Sequence, residues 1–119
     1  MTYYRINQDE AKPTFEPVEI PEGDTEWLRA CYDLIGCNQI EVATTHFKGL
    51  LLLVDEEGKL WDGWQSRINY VATLLHGGWR DPIVGDAILC REKDGDLIPP
   101  TDKDIDTLIR LFPDGQRPM

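Results

Sequence analysis

The longest uninterrupted apolar run in the chain extends only from Leu50 to Val54. A helix that crosses a membrane needs about 20 such residues, so the sequence predicts none. A run of this length is typical of a strand that is buried on both faces of a sheet. Glycine, proline and acidic turn residues interrupt the other apolar segments at short intervals. We therefore expect many short elements around one small core.

The clearest helix signal lies in the N-terminal third of the chain. Apolar residues recur at helical spacing over residues 25–35, and Gly36 follows them directly. Asp24 is predicted as the N-cap, and Gly36 as the left-handed residue that ends the helix. Because a Cβ atom is disfavoured in that conformation, we expect Gly36 to resist substitution.

Two further helices are predicted in the C-terminal half. Ser66 is the predicted cap of the second, whose apolar stripe ends before Gly77 and Gly78. Thr101 is the predicted cap of the third, and acidic residues occupy its first turn, where the helix dipole favours them. Pro113 is predicted to end this last helix.

Candidate strands have alternating or continuous apolar residues and are bounded by turn residues. They lie at residues 3–6, 14–20, 39–44, 49–54, 59–61, 87–91 and 97–100. Pro17 makes its segment either an edge strand or an extended arm, because proline cannot donate a ladder hydrogen bond. An acidic turn at residues 55–58 predicts that the strands on either side of it form a hairpin. Ile40 and Val42 are expected to face the core.

These elements predict an α+β fold, with three short helices on a mostly antiparallel sheet of five or six short strands. Residues 1–119 are expected to form a single domain, with an extended arm over residues 1–23 and a loose tail over residues 113–119. One core is expected to contain an apolar side chain from each main element, namely Trp27, Leu52, Val71, Leu89 and Leu108.

The cysteines Cys31, Cys37 and Cys90 have no spacing that supports a zinc site. An odd number of cysteines and the lack of a visible signal peptide favour reduced thiols in the cytosol of a bacterial host. The sequence contains no phosphate-binding loop, dinucleotide fingerprint or serine-nucleophile motif, so we expect no cofactor and no metal. Cys37 with His46 or His76 is the remaining candidate pair for an unrecognised enzyme.

Acidic residues outnumber basic residues by 22 to 12, which gives a net charge of −10. Direct binding to nucleic acid depends on contacts between Lys or Arg and phosphates, so this charge disfavours it. The same charge favours binding to a basic surface on another protein.

Tryptophan is concentrated around the predicted second helix, and it is enriched at binding hot spots. Because Trp61 and Trp64 lie in a sharp connection between elements, we expect at least one of the two indoles to be exposed. We predict a partner-binding surface that consists of tryptophans and the acidic residues near them in sequence: Trp61, Trp64, Trp79, Asp55, Glu56, Glu57 and Asp62.

Between residues 26 and 91 a set of short segments occurs in a fixed order: Gly36, Ile40-Glu41-Val42, the segment 54–60, Asn69, Ala72-Thr73 and the segment 83–87. Together they resemble a domain-of-unknown-function family of small proteins from Gram-positive bacteria, their phages and their mobile elements. The chain departs from the family pattern at residues 61–68, where two tryptophans are inserted. The resemblance implies a mobile-element setting, in which small acidic proteins often counter host defences, and it supplies no catalytic residues.

We therefore expect an acidic, non-enzymatic protein-binding module from a phage or mobile element, with a basic protein as its partner. In its most concrete form it is an inhibitor of a host defence nuclease, such as a CRISPR effector or a restriction enzyme. Two alternatives stay open: an unrecognised enzyme, and a small-ligand binder that sequesters a signalling nucleotide. The candidate ligand residues for the second alternative are Arg67, Asn69, Gly77, Gly78 and Arg80.

Overall fold

A computed structural model of the protein describes residues 1–8, 14–78 and 80–113. Its strands form one antiparallel sheet: β1 Thr2–Ile6, β2 Phe15–Glu19, β3 Ile40–Thr44, β4 Leu50–Asp55, β5 Ala87–Lys93 and β6 Asp96–Ile98. Its α-helices are α1 Asp24–Ile35, α2 Tyr70–His76 and α3 Asp102–Leu111. The strand order is β2-β1-β5-β4-β3, and β6 pairs with the C-terminal part of β5. The predicted α+β class is confirmed. No helix in the described ranges is long and apolar enough to cross a membrane.

The central strands β4 and β5 are buried on both faces of the sheet, as the apolar run predicted. Leu52 lies opposite Leu89 in the register, and both side chains are fully buried on the face that α2 and α3 cover. Leu53 and Ile88 form the next pair and point to the other face, which α1 covers. Because successive side chains alternate between the faces, the parts of these strands that are covered on both sides, residues 50–54 and 87–90, need apolar residues at every position.

The sheet therefore has two cores, and the prediction of one shared core is wrong for Trp27. Leu52, Val71, Leu89 and Leu108 pack in the core under α2 and α3. Trp27 is partly buried and packs with Cys31 and Ile35 on the opposite side of the sheet. Helical periodicity identifies the apolar side of α1, but it carries no information about which face of the sheet that side will cover.

The N-terminal segment is part of the sheet, which corrects the expectation of an extended arm over residues 1–23. β1 lies between β2 and β5, and Tyr3, Ile6 and Phe15 are each at most 3% exposed. This burial on both faces of the sheet fixes the segment in place. Of the two possibilities that Pro17 allowed, the edge strand is confirmed, since β2 is the outermost strand on this side.

The predicted hairpin between residues 49–54 and 59–61 does not form. β4 pairs with β3 along one edge and with β5 along the other, so no edge is left for a third strand. The chain instead forms a short 3₁₀ helix over Gly58–Leu60. This path favours glycine at position 58, because a Cβ atom there would lie only 3.1 Å from Cβ of Val84.

One other expectation fails at a single residue, Val42. In β3 the buried side chain is Ala43, which lies opposite Leu52, while Val42 is 50% exposed. Val42 shares a face with Ile40, which packs against the core under α1, but this core does not include Val42. The predicted inward position of Ile40 is therefore confirmed, and that of Val42 is wrong.

The second helix begins later than the sequence predicted. Ser66 lies in a 3₁₀ helix over Trp64–Arg67, where its hydroxyl donates to the carbonyl of Gly63 at 2.9 Å. Ile68 is extended and forms a bridge with Val84, and this interrupts the helical path. Asn69 then caps α2 by accepting from the backbone N–H of Ala72 at 3.1 Å.

The predicted cap of α3 is confirmed. The Thr101 hydroxyl accepts from the N–H of Asp104 at 3.1 Å, and the Asp104 carboxylate accepts from the N–H of Thr101 at 2.9 Å. This reciprocal pair is a capping box. At the start of α1 the cap position is Gly23 and Asp24 is the first helical residue, so the helix begins one residue earlier than predicted.

Gly36 ends α1 in the left-handed conformation that the sequence predicted, with φ +77°. Nothing lies within 4 Å of the position that a Cβ atom would occupy, so a substitution there acts through the backbone alone. We expect Gly36→Ala to lower the free energy of unfolding by about 1 kcal/mol, and Gly36→Asn by less, because asparagine tolerates this conformation better. Urea denaturation measures both variants. An unchanged midpoint for Gly36→Ala would contradict the capping role.

Candidate functional site

A shallow hollow of about 220 Å³ brings together several of the residues that the sequence predicted for partner binding. It lies between the end of α1 and the connection after β4. We call it the Trp61 hollow, and its lining residues are Gly36, Cys37, Asn38, Asp55, Glu57, Leu60 and Trp61. The segment at the end of α1 had not been predicted as part of the site, because only the folded sheet brings it next to residues 55–61.

Two large apolar side chains of this hollow are exposed. Leu60 is 77% exposed and Trp61 is 60% exposed. The prediction that at least one indole of the connection is exposed is confirmed. Trp64 is only partly buried, and its backbone N–H donates to the carbonyl of Trp61 at 3.2 Å, which keeps the connection sharp. Trp79 lies outside the described residues.

The acidic residues of the predicted surface differ in their surroundings. Asp55 is partly buried and accepts a hydrogen bond from the N–H of Glu57 at 2.9 Å, which shapes the turn. Glu57 is partly buried beside it in the hollow. Glu56 and Asp62 are exposed, but they are not among the lining residues of the hollow.

The described lining of the Trp61 hollow has two carboxylates and no Lys or Arg. The nearest lysine in sequence, Lys59, is committed elsewhere: its Nζ lies 2.5 Å from Oδ1 of Asp81. The negative charge also acts on Cys37. Burial raises the pKa of this thiol, and the charge of Asp55 raises it further. The hollow therefore combines two exposed apolar side chains with two carboxylates, and its described lining has no Lys or Arg to offset their charge.

A second cleft, of about 120 Å³, contains the ion pairs around Asp81. His76 Nδ1 lies 2.8 Å from the carbonyl oxygen of Thr44, and its Nε2 lies 3.1 Å from Oδ2 of Asp81. Hydrogen bonds from Lys59 and then His76 lower the pKa of Asp81. Because both ring nitrogens face acceptors, the ring connects β3 to the segment after α2. The described lining of this cleft includes no hydroxyl or thiol side chain that the histidine could activate.

The thiols are held in their protonated form. Burial raises the pKa of Cys90 to about 12 and that of Cys31 to about 11. Thiolate is the reactive form of cysteine, so this environment opposes nucleophilic catalysis. Within the described ranges, no group of three or more His, Cys, Asp or Glu side chains is placed to hold a metal ion.

We expect Cys37 to react with Ellman's reagent at pH 8 more slowly than a small free thiol, because burial raises the pKa of Cys37 and so reduces the thiolate fraction. Cys31 and Cys90 should react only after denaturation, since both are fully buried. A Cys37 rate equal to that of the free thiol would contradict this expectation and would favour Cys37 with His46 or His76 as a catalytic pair.

Several of the residues proposed for a small anionic ligand have donors that are already bonded within the fold. The N–H groups of Gly77 and Gly78 both donate to the carbonyl of Thr73, at 3.2 and 2.9 Å, so they are not available to an anion. Asn69 is fully buried, and its amide bonds to the backbone. Arg67 is partly buried near Gly85, while Arg80 is exposed. A glycine nest needs unpaired N–H groups that converge, and this segment offers none among its described glycines.

Comparison with known proteins gives one match. The model of a family described as a domain of unknown function (DUF3846) matches residues 1–113, and the chain therefore belongs to this family. No curated protein and no solved structure matches the chain. This membership confirms the resemblance of the segments between residues 26 and 91 to a family of unknown function.

Proposed function

We propose that this member of the DUF3846 family is a non-enzymatic protein-binding module and that the Trp61 hollow is its working face. The observation that carries the proposal is the exposure of Leu60 and Trp61 beside Asp55 and Glu57. Tryptophan at the centre of a contact, rimmed by polar residues, is the usual composition of a binding hot spot.

The chemistry of the hollow defines the partner. An exposed indole and leucine fit an apolar pocket, and the carboxylates around them fit a basic rim on the same partner. Lys59, the lysine nearest to this face in sequence, is paired with Asp81, which offsets its positive charge. The net charge of −10 steers the module toward such a surface over a longer range.

In its most concrete form, the proposed partner is a host defence nuclease whose nucleic-acid groove is basic. An acidic module seated in that groove would exclude the phosphate backbone, since both compete for the same Lys and Arg side chains. The supports for this form are the charge of the chain and the mobile-element setting that the family resemblance implies. The setting is an argument by association.

The test is capture of partners from a bacterial lysate by the wild-type protein and by two charge-matched variants. Glu56→Lys/Glu57→Lys alters the acidic turn next to Trp61. Asp33→Lys/Glu92→Lys makes the same change of charge at two exposed residues outside the hollow. We expect the wild type and the second variant to capture the same basic protein and the first variant to lose it.

The salt dependence of capture gives an independent readout. We expect retention to fall steeply between about 0.05 M and about 0.5 M salt, because exposed charges are screened over this range. Equal capture by both variants, or retention that does not change with salt, would contradict the proposed face. Recovery of a basic nuclease would support the specific form of the proposal, and recovery of a basic protein of another class would contradict that form.

A further inference from the structure

A third hollow, larger than the two already described, lies at the start of α1, whereas the Trp61 hollow lies at its end. It has a volume of about 500 Å³ and runs between the start of α1 and the turn that joins β5 to β6. Its apolar lining consists of Met1, Tyr3, Trp27, Leu28 and Leu97. Met1 and Leu28 are 54% and 38% exposed, so the groove is open to solvent along its length.

The aromatic wall of this groove is held in a fixed position. The indole N–H of Trp27 donates to the hydroxyl of Tyr3 at 3.3 Å. The two ring centroids lie 6.5 Å apart at an interplanar angle of 65°, which is an edge-to-face arrangement. Tyr3 is 3% exposed and anchors the pair in the sheet, while Trp27 is only partly buried. The groove therefore offers a tryptophan that needs no reordering to receive a ligand.

Carboxylates surround this apolar wall. Glu22, Asp24 and Asp96 all line the groove and are all exposed. The described lining includes no Lys or Arg, and the ammonium group of Met1 is already paired with Glu19 at 3.2 Å. The positive end of the α1 dipole would oppose a cation here, but Asp24 and Glu26 in the first turn offset it.

We propose that this groove binds a short apolar peptide segment of a partner protein through one arginine in that segment. Arginine fits because its planar guanidinium stacks on tryptophan and also bonds carboxylates in a bidentate manner. The apolar residues on either side of the arginine would cover Leu28 and Leu97. An open groove suits an extended chain better than a small molecule, because a small-molecule site normally encloses most of its ligand. This inference does not depend on the Trp61 hollow.

The experiment is an NMR titration of the full chain, followed on the indole N–H signal of Trp27. Trp27→Phe assigns this signal among those of the four tryptophans. The probes are the blocked tripeptide Leu-Arg-Leu, the same peptide with citrulline in place of arginine, and arginine amide alone. We expect a saturable shift with the arginine peptide. Affinity should be at least about tenfold weaker for the citrulline peptide and for arginine amide, because the first lacks the charge and the second lacks the apolar flanks.

A matched pair of variants tests the rim. Asp24→Asn/Asp96→Asn should weaken binding of the arginine peptide by at least about tenfold, while Asp33→Asn/Asp62→Asn, with the same change of charge at exposed residues that do not line the groove, should leave its affinity unchanged. Equal binding of the citrulline peptide would overturn the proposal. So would equal binding of arginine amide, which would identify a small-cation site, or an equal loss of affinity in both variants. A well-dispersed amide spectrum of each variant verifies that it is folded.

Discussion

Replacing Asn69 by alanine is expected to destabilise the protein by about 3 kcal/mol, a large fraction of the stability of a small domain. Asn69 is fully buried, and each polar atom of its side chain has a structural partner. Its Nδ2 donates to the carbonyls of Ile6 and Gly85, at 2.8 and 3.0 Å. Its Oδ1 accepts from the N–H of Ala72 and caps α2.

The size of this effect follows from what the substitution leaves behind. Asn69→Ala removes a cap, which costs about 1 kcal/mol, and leaves two carbonyls in a buried site without their donor. Three parts of the fold lose their common connection: β1, the start of α2 and the segment before β5. Urea denaturation measures the free energy of unfolding directly.

Two other variants separate the causes. Asn69→Asp keeps the cap acceptor but places a carboxylate against two carbonyls, so it should also be strongly destabilised at neutral pH. Asn38→Ala removes the same side chain from an exposed position and should change the free energy of unfolding by less than about 0.5 kcal/mol. A loss below about 1 kcal/mol for Asn69→Ala would show that the network does not hold these elements together.

Local signals in the sequence predicted the parts of the fold that depend on local physics. The capping box at Thr101 and the left-handed Gly36 were predictable because each depends on residues within one helical turn. The central position of β4 was predictable because its apolar run is continuous. Pro17 alone limited its segment to an edge strand or an extended arm.

Long-range competition decided the features that the sequence did not predict. The segment after the acidic turn was expected to pair with β4, but β3 and β5 occupy both edges of that strand. Trp27 was expected in the main core, but α1 covers the other face of the sheet. Neither result could be predicted from the residues nearby in sequence, because each depends on which distant elements pair with a strand or cover a face of the sheet.

The same division between local and long-range features applies to the candidate site. The exposure of at least one of the indoles of Trp61 and Trp64 followed from their place in a sharp connection, since connections run over the surface. The difference between Trp61 and the half-buried Trp64 depends on the 3₁₀ helix that begins at Trp64, which apolar spacing did not indicate. The contribution of Cys37 and Asn38 to the hollow depends on tertiary contacts alone.

Trp61→Ala is expected to produce the largest loss of partner binding of any single substitution in the Trp61 hollow. An exposed indole that becomes buried in a partner contributes about 2 kcal/mol or more, which corresponds to an increase in Kd of about 30-fold. Its effect on folding should be small, because an indole that is 60% exposed gives little burial to the folded monomer. Trp64→Ala should show the opposite balance, with a larger loss of stability and a smaller loss of binding.

The matched control is Leu111→Ala, which truncates another large apolar side chain that is 55% exposed and lies outside the hollow. It should change the Kd by less than about threefold, because its side chain is not at the proposed interface. Both alanine variants should keep their free energies of unfolding within about 0.5 kcal/mol of the wild type. If the variants and the wild type agree in stability, any difference in Kd comes from the altered surface and not from partial unfolding.

The most direct test of the proposed working face is therefore the Kd of Trp61→Ala for the basic partner that the wild-type protein captures, measured beside its free energy of unfolding. An increase in Kd of about 30-fold or more with unchanged stability is the result that an anchor at Trp61 predicts. A Kd equal to that of the wild type, or a loss of stability that accounts for the whole change in binding, would contradict it.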